Sequence, residues 1–180
     1  IQISVVGSSQ RVVVDDAAGL LGEAAGLVQG TDDIQIGGSP GIAAAAGICC
    51  LARKLGVKAN IVVDLSNNSA GSLIEKIRRD GDYKDTFVSS QEAMIKADGK
   101  ALLVIVDTNR PEKVEDGDLL LACNRVAVID HHRKMVNYLD NTTLLFHDPY
   151  ASSASELVTG LIQFLECRED LPQFCAEALL

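Results

Sequence analysis

Apolar positions along this chain gather into short runs separated by segments of helical spacing, most regularly from Thr31 onward. Leu102 to Val106 and Val126 to Ile129 are unbroken aliphatic runs, the pattern of strands covered on both faces. Asn60 to Val63, Asp85 to Val88 and Leu144 to Phe146 are shorter strand candidates, and Ile34 to Ile36 is another. Between these runs the spacing predicts helices. Ile42 to Leu55 is alanine-rich and apolar, and closes on Arg53 and Lys54 before Gly56; basic residues in a last turn and glycine just past it mark a helix end. Ser72 to Arg79 is amphipathic and stops near Gly81. Ser89-Ser-Gln-Glu92 and Ser153-Ala-Ser-Glu156 fit capping boxes, which predict helices over Ala93 to Lys96 and as far as about Glu166. Pro172 opens a last one.

Short strands alternating with helices imply right-handed βαβ units, and so an α/β fold: a mostly parallel sheet with helices on both faces. Residues 1–30 follow this rhythm less well. Ile1 to Val6 and Val12 to Val14 read as strands and Ala17 to Val28 as a helix, despite Gly19, Gly22 and Gly26. This stretch is set apart as the remainder of a preceding domain or a linker, leaving 31–180 as the main unit.

Composition narrows the class. Of 180 residues, 47% are hydrophobic but only 4% aromatic, with no Trp, so the core is aliphatic and suits layered α/β packing. A chain of this length buries about two-thirds of its unfolded surface and needs no staple. The five cysteines, Cys49, Cys50, Cys123, Cys167 and Cys175, lack CxxC spacing and lie in apolar segments, as reduced thiols of a cytoplasmic chain would. No run reaches the roughly 20 apolar residues of a membrane span, and no secretory leader is present, so membrane contact is not expected. With 16 basic and 25 acidic residues the net charge is −9. That argues against double-stranded nucleic acid gripped through a basic face. A phosphate substrate stays open, provided that cations not encoded in the sequence lie between it and the protein.

Two apolar strand candidates end in an acid, at Asp107 and Asp130, and His131 and His132 follow the second at once. In a parallel sheet, ligands bind beyond the carboxyl ends of the strands. Two carboxylates brought to one crevice repel each other unless a divalent cation joins them. Carboxylate with imidazole suits Mn²⁺, with Mg²⁺, Fe²⁺ or Co²⁺ as substitutes. Each residue also has a plainer reading: Asp107 as a helix N-cap, and the two histidines as ordinary loop residues.

Val-Ile-Asp130-His131-His132-Arg133 resembles the signature of the DHH phosphoesterases, and Val-Asp107-Thr-Asn-Arg-Pro111 resembles their preceding aspartate motif. With Asp148-Pro-Tyr-Ala-Ser-Ser-Ala-Ser-Glu156 following, the chain looks most like the GdpP (YybT) type within that superfamily, membrane-anchored bacterial phosphodiesterases that hydrolyse cyclic di-AMP. The resemblance implies a Rossmann-like N-terminal subdomain holding two Mn²⁺ ions, with Asp107 bridging them and His131 ligating one. It casts Asp130 as an orienting group and His132 as the side chain facing the scissile phosphate, cut by a metal-activated water to give linear pApA. Arg110 and Arg133 are candidate phosphate contacts, with surface roles as the alternative. Ser152 and Ser153 are candidates for receiving a phosphate at a helix N-terminus, with simple capping as the alternative. His147 reads as a structural loop residue. The partners implied are a cyclic dinucleotide or short nucleotide phosphodiester, a C-terminal substrate-binding (DHHA1-like) domain, and a second copy of the chain. The location implied is cytoplasmic, in a parent protein anchored in a bacterial inner membrane.

Two departures bear on activity. The family's first motif supplies a histidine and two aspartates, whereas Ile36-Gly-Gly-Ser-Pro-Gly-Ile-Ala-Ala-Ala-Ala46 contains neither residue. The family's last aspartate is expected beyond Leu180. Either the chain is a fragment of an active enzyme or its site is degenerate. The persistence of Asp107, Asp130, His131 and His132 favours the fragment. Rival activities on the same core are those of an oligoribonuclease or pAp phosphatase, or of a pyrophosphatase; the rival outside catalysis is a nucleotide-binding module.

Overall fold

The computed structural model describes residues 41–63, 70–97, 101–114, 116–165 and 171–180, with the backbone of residue 40 and of the strands at 3–4, 13–14 and 26–30. Two of those strands, β1 (Ile3–Ser4) and β2 (Val13–Val14), form a small antiparallel pair. The main sheet has six strands: β3 (Gly26–Gly30), β4 (Ala59–Val62), β5 (Phe87–Val88), β6 (Leu102–Val106), β7 (Arg125–Asp130) and β8 (Leu144–His147). Their order across the sheet is β5-β4-β3-β6-β7-β8, and every neighbouring pair is parallel. The α/β parallel-sheet expectation therefore holds.

One expectation is corrected here. Residues 26–28, read as the end of a helix, belong to strand β3, which pairs with β4 on one side and β6 on the other. The sheet thus begins inside the stretch set apart as a linker, because bonding on both sides outweighs the poor strand propensity of Gly26 and Gly30. The proposed strand at 34–36 lies outside the described residues.

Helices cover both faces. The alternating side chains of β6 divide between them, with Leu102, Val104 and Val106 turned to one layer and Leu103 and Ile105 to the other. The first layer holds α1 (Pro40–Lys54), α2 (Gly71–Arg79), α5 (Ala154–Phe164) and α6 (Gln173–Leu179); the second holds α3 (Ser90–Lys96) and α4 (Gly117–Ala122). Among the described residues, no helix is long and apolar enough to cross a membrane.

Helix α1 is the centre of the larger layer, with Ala44, Ala45, Cys49 and Cys50 wholly buried. Burial pushes the Cys49 thiol up to about 12, so it stays protonated and behaves as a small apolar residue. Gly47 permits close approach of neighbouring helices: a Cβ there would lie 2.7 Å from Val158 Cγ1 on α5 and 3.0 Å from Leu179 Cδ2 on α6.

The Ser89 capping box closes in full. Its hydroxyl accepts from the Glu92 amide at 3.3 Å, and Glu92 Oε2 accepts from the Ser89 amide at 2.8 Å. At α5 only half of the expected box forms. Ser153 Oγ accepts from the Glu156 amide at 3.2 Å, but the Glu156 carboxylate passes over Ser153 and takes the Ser152 amide at 2.7 Å and its hydroxyl at 2.8 Å. These bonds stabilise the ionised forms and hold both carboxyls below their ordinary value of 4.5.

Two outcomes follow. Gly47→Val should lower the stability of the chain by about 2 kcal/mol in urea titration, since both facing helices must shift. A carboxyl lowered by folding contributes stability above its unfolded pKa and loses it as pH falls through the folded one. The Glu92→Gln/Glu156→Gln variant should therefore lose less stability than the native chain on acidification below about pH 4.5, as thermal melts across that range would record.

Candidate metal centre

Strands β6 and β7 are parallel neighbours in register, Val106 beside Ile129, so the residues that follow emerge at the same edge of the sheet. Chain succession reverses direction between β3 and β6, which makes their carboxyl ends the topological switch point where α/β sheets bind ligands. Asp107 stands there. Its amide donates to Ile129 O at 3.0 Å, extending the ladder one residue past β6. The chain then turns sharply, because Asp107 has φ of +65°. Asp is among the few non-glycine residues that adopt this left-handed conformation, and such strain concentrates at functional sites. The residue is 2% exposed. It is not a helix cap: α4 is capped by Asp116, whose Oδ1 accepts from the amides of Asp118 and Leu119.

Asp130, the last residue of β7, has no exposed surface. Its Oδ1 lies 2.7 Å from His132 Nδ1, and its Oδ2 accepts from Asn109 Nδ2 at 2.5 Å. Asn109 Nδ2 also donates to the His132 carbonyl at 3.1 Å, and His147 Nε2 lies 2.6 Å from that same carbonyl. A ring nitrogen facing an acceptor carries the proton. His132 is therefore protonated at Nδ1, which turns Nε2 away from Asp130. His131 has an acceptor at each ring nitrogen: Nδ1 faces the Ala151 carbonyl at 3.3 Å, and Nε2 faces Asp107 Oδ1 at 3.4 Å.

The two imidazoles lie against each other with centroids 4.4 Å apart. Asp107, His131 and His132 each offer a ligand atom, all within 4.8 Å of one another. Chemically the set fits a divalent first-row metal: one carboxylate and two imidazoles, each ring with a further partner at its Nδ1, as ligating histidines usually have.

The other candidates are placed differently. Arg110 is half-buried just past Asn109, and Arg133 is exposed in the segment after β7. Ser152 and Ser153 border a groove of about 460 Å³ lined also by Glu156, Thr159 and Gln163. Both hydroxyls engage Glu156: Ser152 Oγ donates to its carboxylate and Ser153 Oγ accepts from its amide. Two residues of the site are not read as functional from sequence: Asn109, and His147, which reads as a structural loop residue and is instead the last residue of strand β8. Asn109 lies within the quoted Asp-Thr-Asn-Arg-Pro segment, but nothing in its type revealed that it bonds to Asp130. Residues 31–39, which contain the start of the substituted first motif, lie outside the described residues.

The family model for the N-terminal domain of the DHH family matches residues 39–180. The chain belongs to the DHH family. Among curated proteins it is 33% identical over 141 residues to the cyclic-di-AMP phosphodiesterase GdpP of Geobacillus thermodenitrificans, covering 77% of this chain and 21% of that protein. Its identity to GdpP of Bacillus subtilis is 35% over the same length and the same shares. To the cyclic-di-AMP phosphodiesterase PdeA of Listeria monocytogenes it is 38% identical over 93 residues, 52% of this chain and 14% of that one. The chain thus spans about a fifth of the length of the GdpP relatives. Among solved structures, an exopolyphosphatase-related protein from Bacteroides fragilis superposes with a TM-score of 0.71 at 19% identity, covering 92% of this chain and 47% of the other. That likeness supports the fold.

Two measurements test this geometry. Asn109→Leu should cost about 3 kcal/mol, because it leaves a fully buried carboxylate oxygen without its donor; a loss under 1 kcal/mol in denaturant titration would contradict the bond. Asp107→Gly should be more stable than Asp107→Ala by about 1 kcal/mol, since only the glycine relieves the positive φ.

Proposed function

We propose that this DHH domain is the catalytic core of a manganese-dependent phosphodiesterase that hydrolyses cyclic di-AMP to linear pApA. The observation that carries the reading is the convergence of Asp107, His131 and His132 at the switch point of a DHH domain, together with relatives named for that activity. Asp107 would hold two Mn²⁺ ions between its oxygens and His131 would ligate one; Mg²⁺ or Co²⁺ could substitute. Among the described residues, Asp107, His131 and His132 form the group that could hold such ions. Bound cations of this kind neutralise phosphate charge and make water a competent nucleophile near neutral pH.

The chain's own groups position the substrate. His132, its Nδ1 held against Asp130 Oδ1 at 2.7 Å, would face the scissile phosphate with Nε2. Asp130 is spent on His132 and Asn109, so it acts by orientation and does not bind the ions. Arg110 and Arg133 leave the two strand ends that carry the site and supply charge-assisted donors to phosphate oxygens. The domain would work in the cytoplasm, within a longer membrane-anchored protein that adds a substrate-binding domain.

The test uses the protein at its full encoded length. Cyclic di-AMP, short RNA and pyrophosphate are offered in turn, with Mn²⁺ and then after chelation. Hydrolysis of cyclic di-AMP that EDTA abolishes and Mn²⁺ restores is expected. Asp107→Ala should reduce turnover by at least about 10³-fold, or 4 kcal/mol of barrier, while the chain stays folded. Full activity in that variant, or cleavage of only RNA or pyrophosphate, would overturn the assignment.

A further inference from the structure

We infer that His147 is a positioning residue for the metal centre, holding His132 in the orientation that turns its ring toward Asp107 and His131. The inference rests on the metal-centre reading above, and concerns a side chain that does not itself join the ligand cluster.

The His132 carbonyl has two lone pairs, and both are taken. Asn109 Nδ2 donates from the turn after β6 at 3.1 Å, and His147 Nε2 from the end of β8 at 2.6 Å. The donors thus come from the two strands that flank β7. Two donors on one carbonyl fix the plane of the peptide that leaves His132. The ring is held by Asp130 Oδ1 against its Nδ1 at 2.7 Å, a bond whose alignment depends on how that peptide is set. With the peptide plane and the ring both held, His132 keeps one orientation, and the preceding peptide aims His131 at Asp107.

His147 is itself well anchored. It is the register partner of Asp130 in the β7–β8 ladder, and the next amide, Asp148 N, donates to Asp130 O at 3.2 Å. Its bond also requires a specific donor reach: Nε2 is the far nitrogen of the ring, a position that a glutamine amide can reproduce and an asparagine amide falls short of.

The chain has three histidines, so a ¹⁵N-imidazole spectrum of the metal-free chain resolves each ring. In the native chain His132 should show the pure Nδ1–H tautomer. In His147→Phe, which keeps a flat ring but no donor, the His132 signals should move toward a tautomer mixture, and Mn²⁺ affinity by EPR titration should weaken about tenfold. His147→Gln should restore both to near native values. If the phenylalanine variant fails to fold, His147→Asn takes its place, keeping polarity without reach. Unchanged His132 signals and Mn²⁺ affinity in the folded donor-free variant would overturn the positioning role. A native chain that binds no Mn²⁺, with the His132 signals still shifted in the variant, would instead sink the metal-centre reading and leave the positioning role standing.

Discussion

The carboxyl edge of this sheet depends on one buried carboxylate. Asp130 has no exposed surface, and a carboxylate withdrawn from water is tolerated only where donors replace its hydration. Here they come from Asn109 and His132, at 2.5 Å and 2.7 Å. Satisfying that group obliges the turn after β6 to fold over the end of β7, and it obliges His132 to bend back on the residue two before it. The tautomer of His132 and the location of its carbonyl beside Asn109 and His147 follow from the same requirement. A site assembled to meet a buried charge is rigid before any ligand arrives, and rigid placement is what a set of metal-binding donors needs.

The connection from β7 to β8 strengthens this arrangement in an unusual way. Parallel strands need a crossover, and here residues 131–143 make it without a helix. The chain leaves the carboxyl edge at His131 and arrives at the opposite end, where the Thr143 amide donates to Val126 O at 2.7 Å. On the way the Leu139 amide donates to the Asn109 carbonyl at 2.8 Å, and the Leu139 side chain packs on the smaller helical layer. Asn109 is therefore held by its backbone from one segment while its side chain holds two others. An extended crossover also leaves Arg133, Met135 and Val136 exposed next to the site, where a helix would have buried part of the same stretch.

Much of this was legible in the sequence because the informative features are local. Aliphatic runs gave β6 and β7, and the acid ending each run marked the active edge. The Ser89 box formed as its spacing requires. What was not legible depends on partners distant in sequence. Strand β3 has a glycine at each end and only Leu27 and Val28 as aliphatic residues; pairing with β4 and β6 makes it a strand, and that cannot be seen locally. His147 donates to a carbonyl fifteen residues earlier, and a backbone carbonyl leaves no trace in the choice of residue. The α5 cap was misread by one position for a similar reason: the spacing allowed Glu156 to reach Ser153, but with Ser152 adjacent the carboxylate gains an amide and a hydroxyl together.

Asp107 and Asp130 end adjacent strands and are almost equally buried, at 2% and 0% exposed, yet their surroundings give them different tasks. Asp130 has a protein donor at each carboxylate oxygen, Asn109 Nδ2 at 2.5 Å and His132 Nδ1 at 2.7 Å. Asp107 faces His131 Nε2 across 3.4 Å, wider than a direct charge-assisted bond of about 2.7–2.9 Å, in the cluster that His132 completes. The donor set suits a divalent cation, and in a chain of net charge −9 such a cation would also offset the repulsion that an anionic ligand meets.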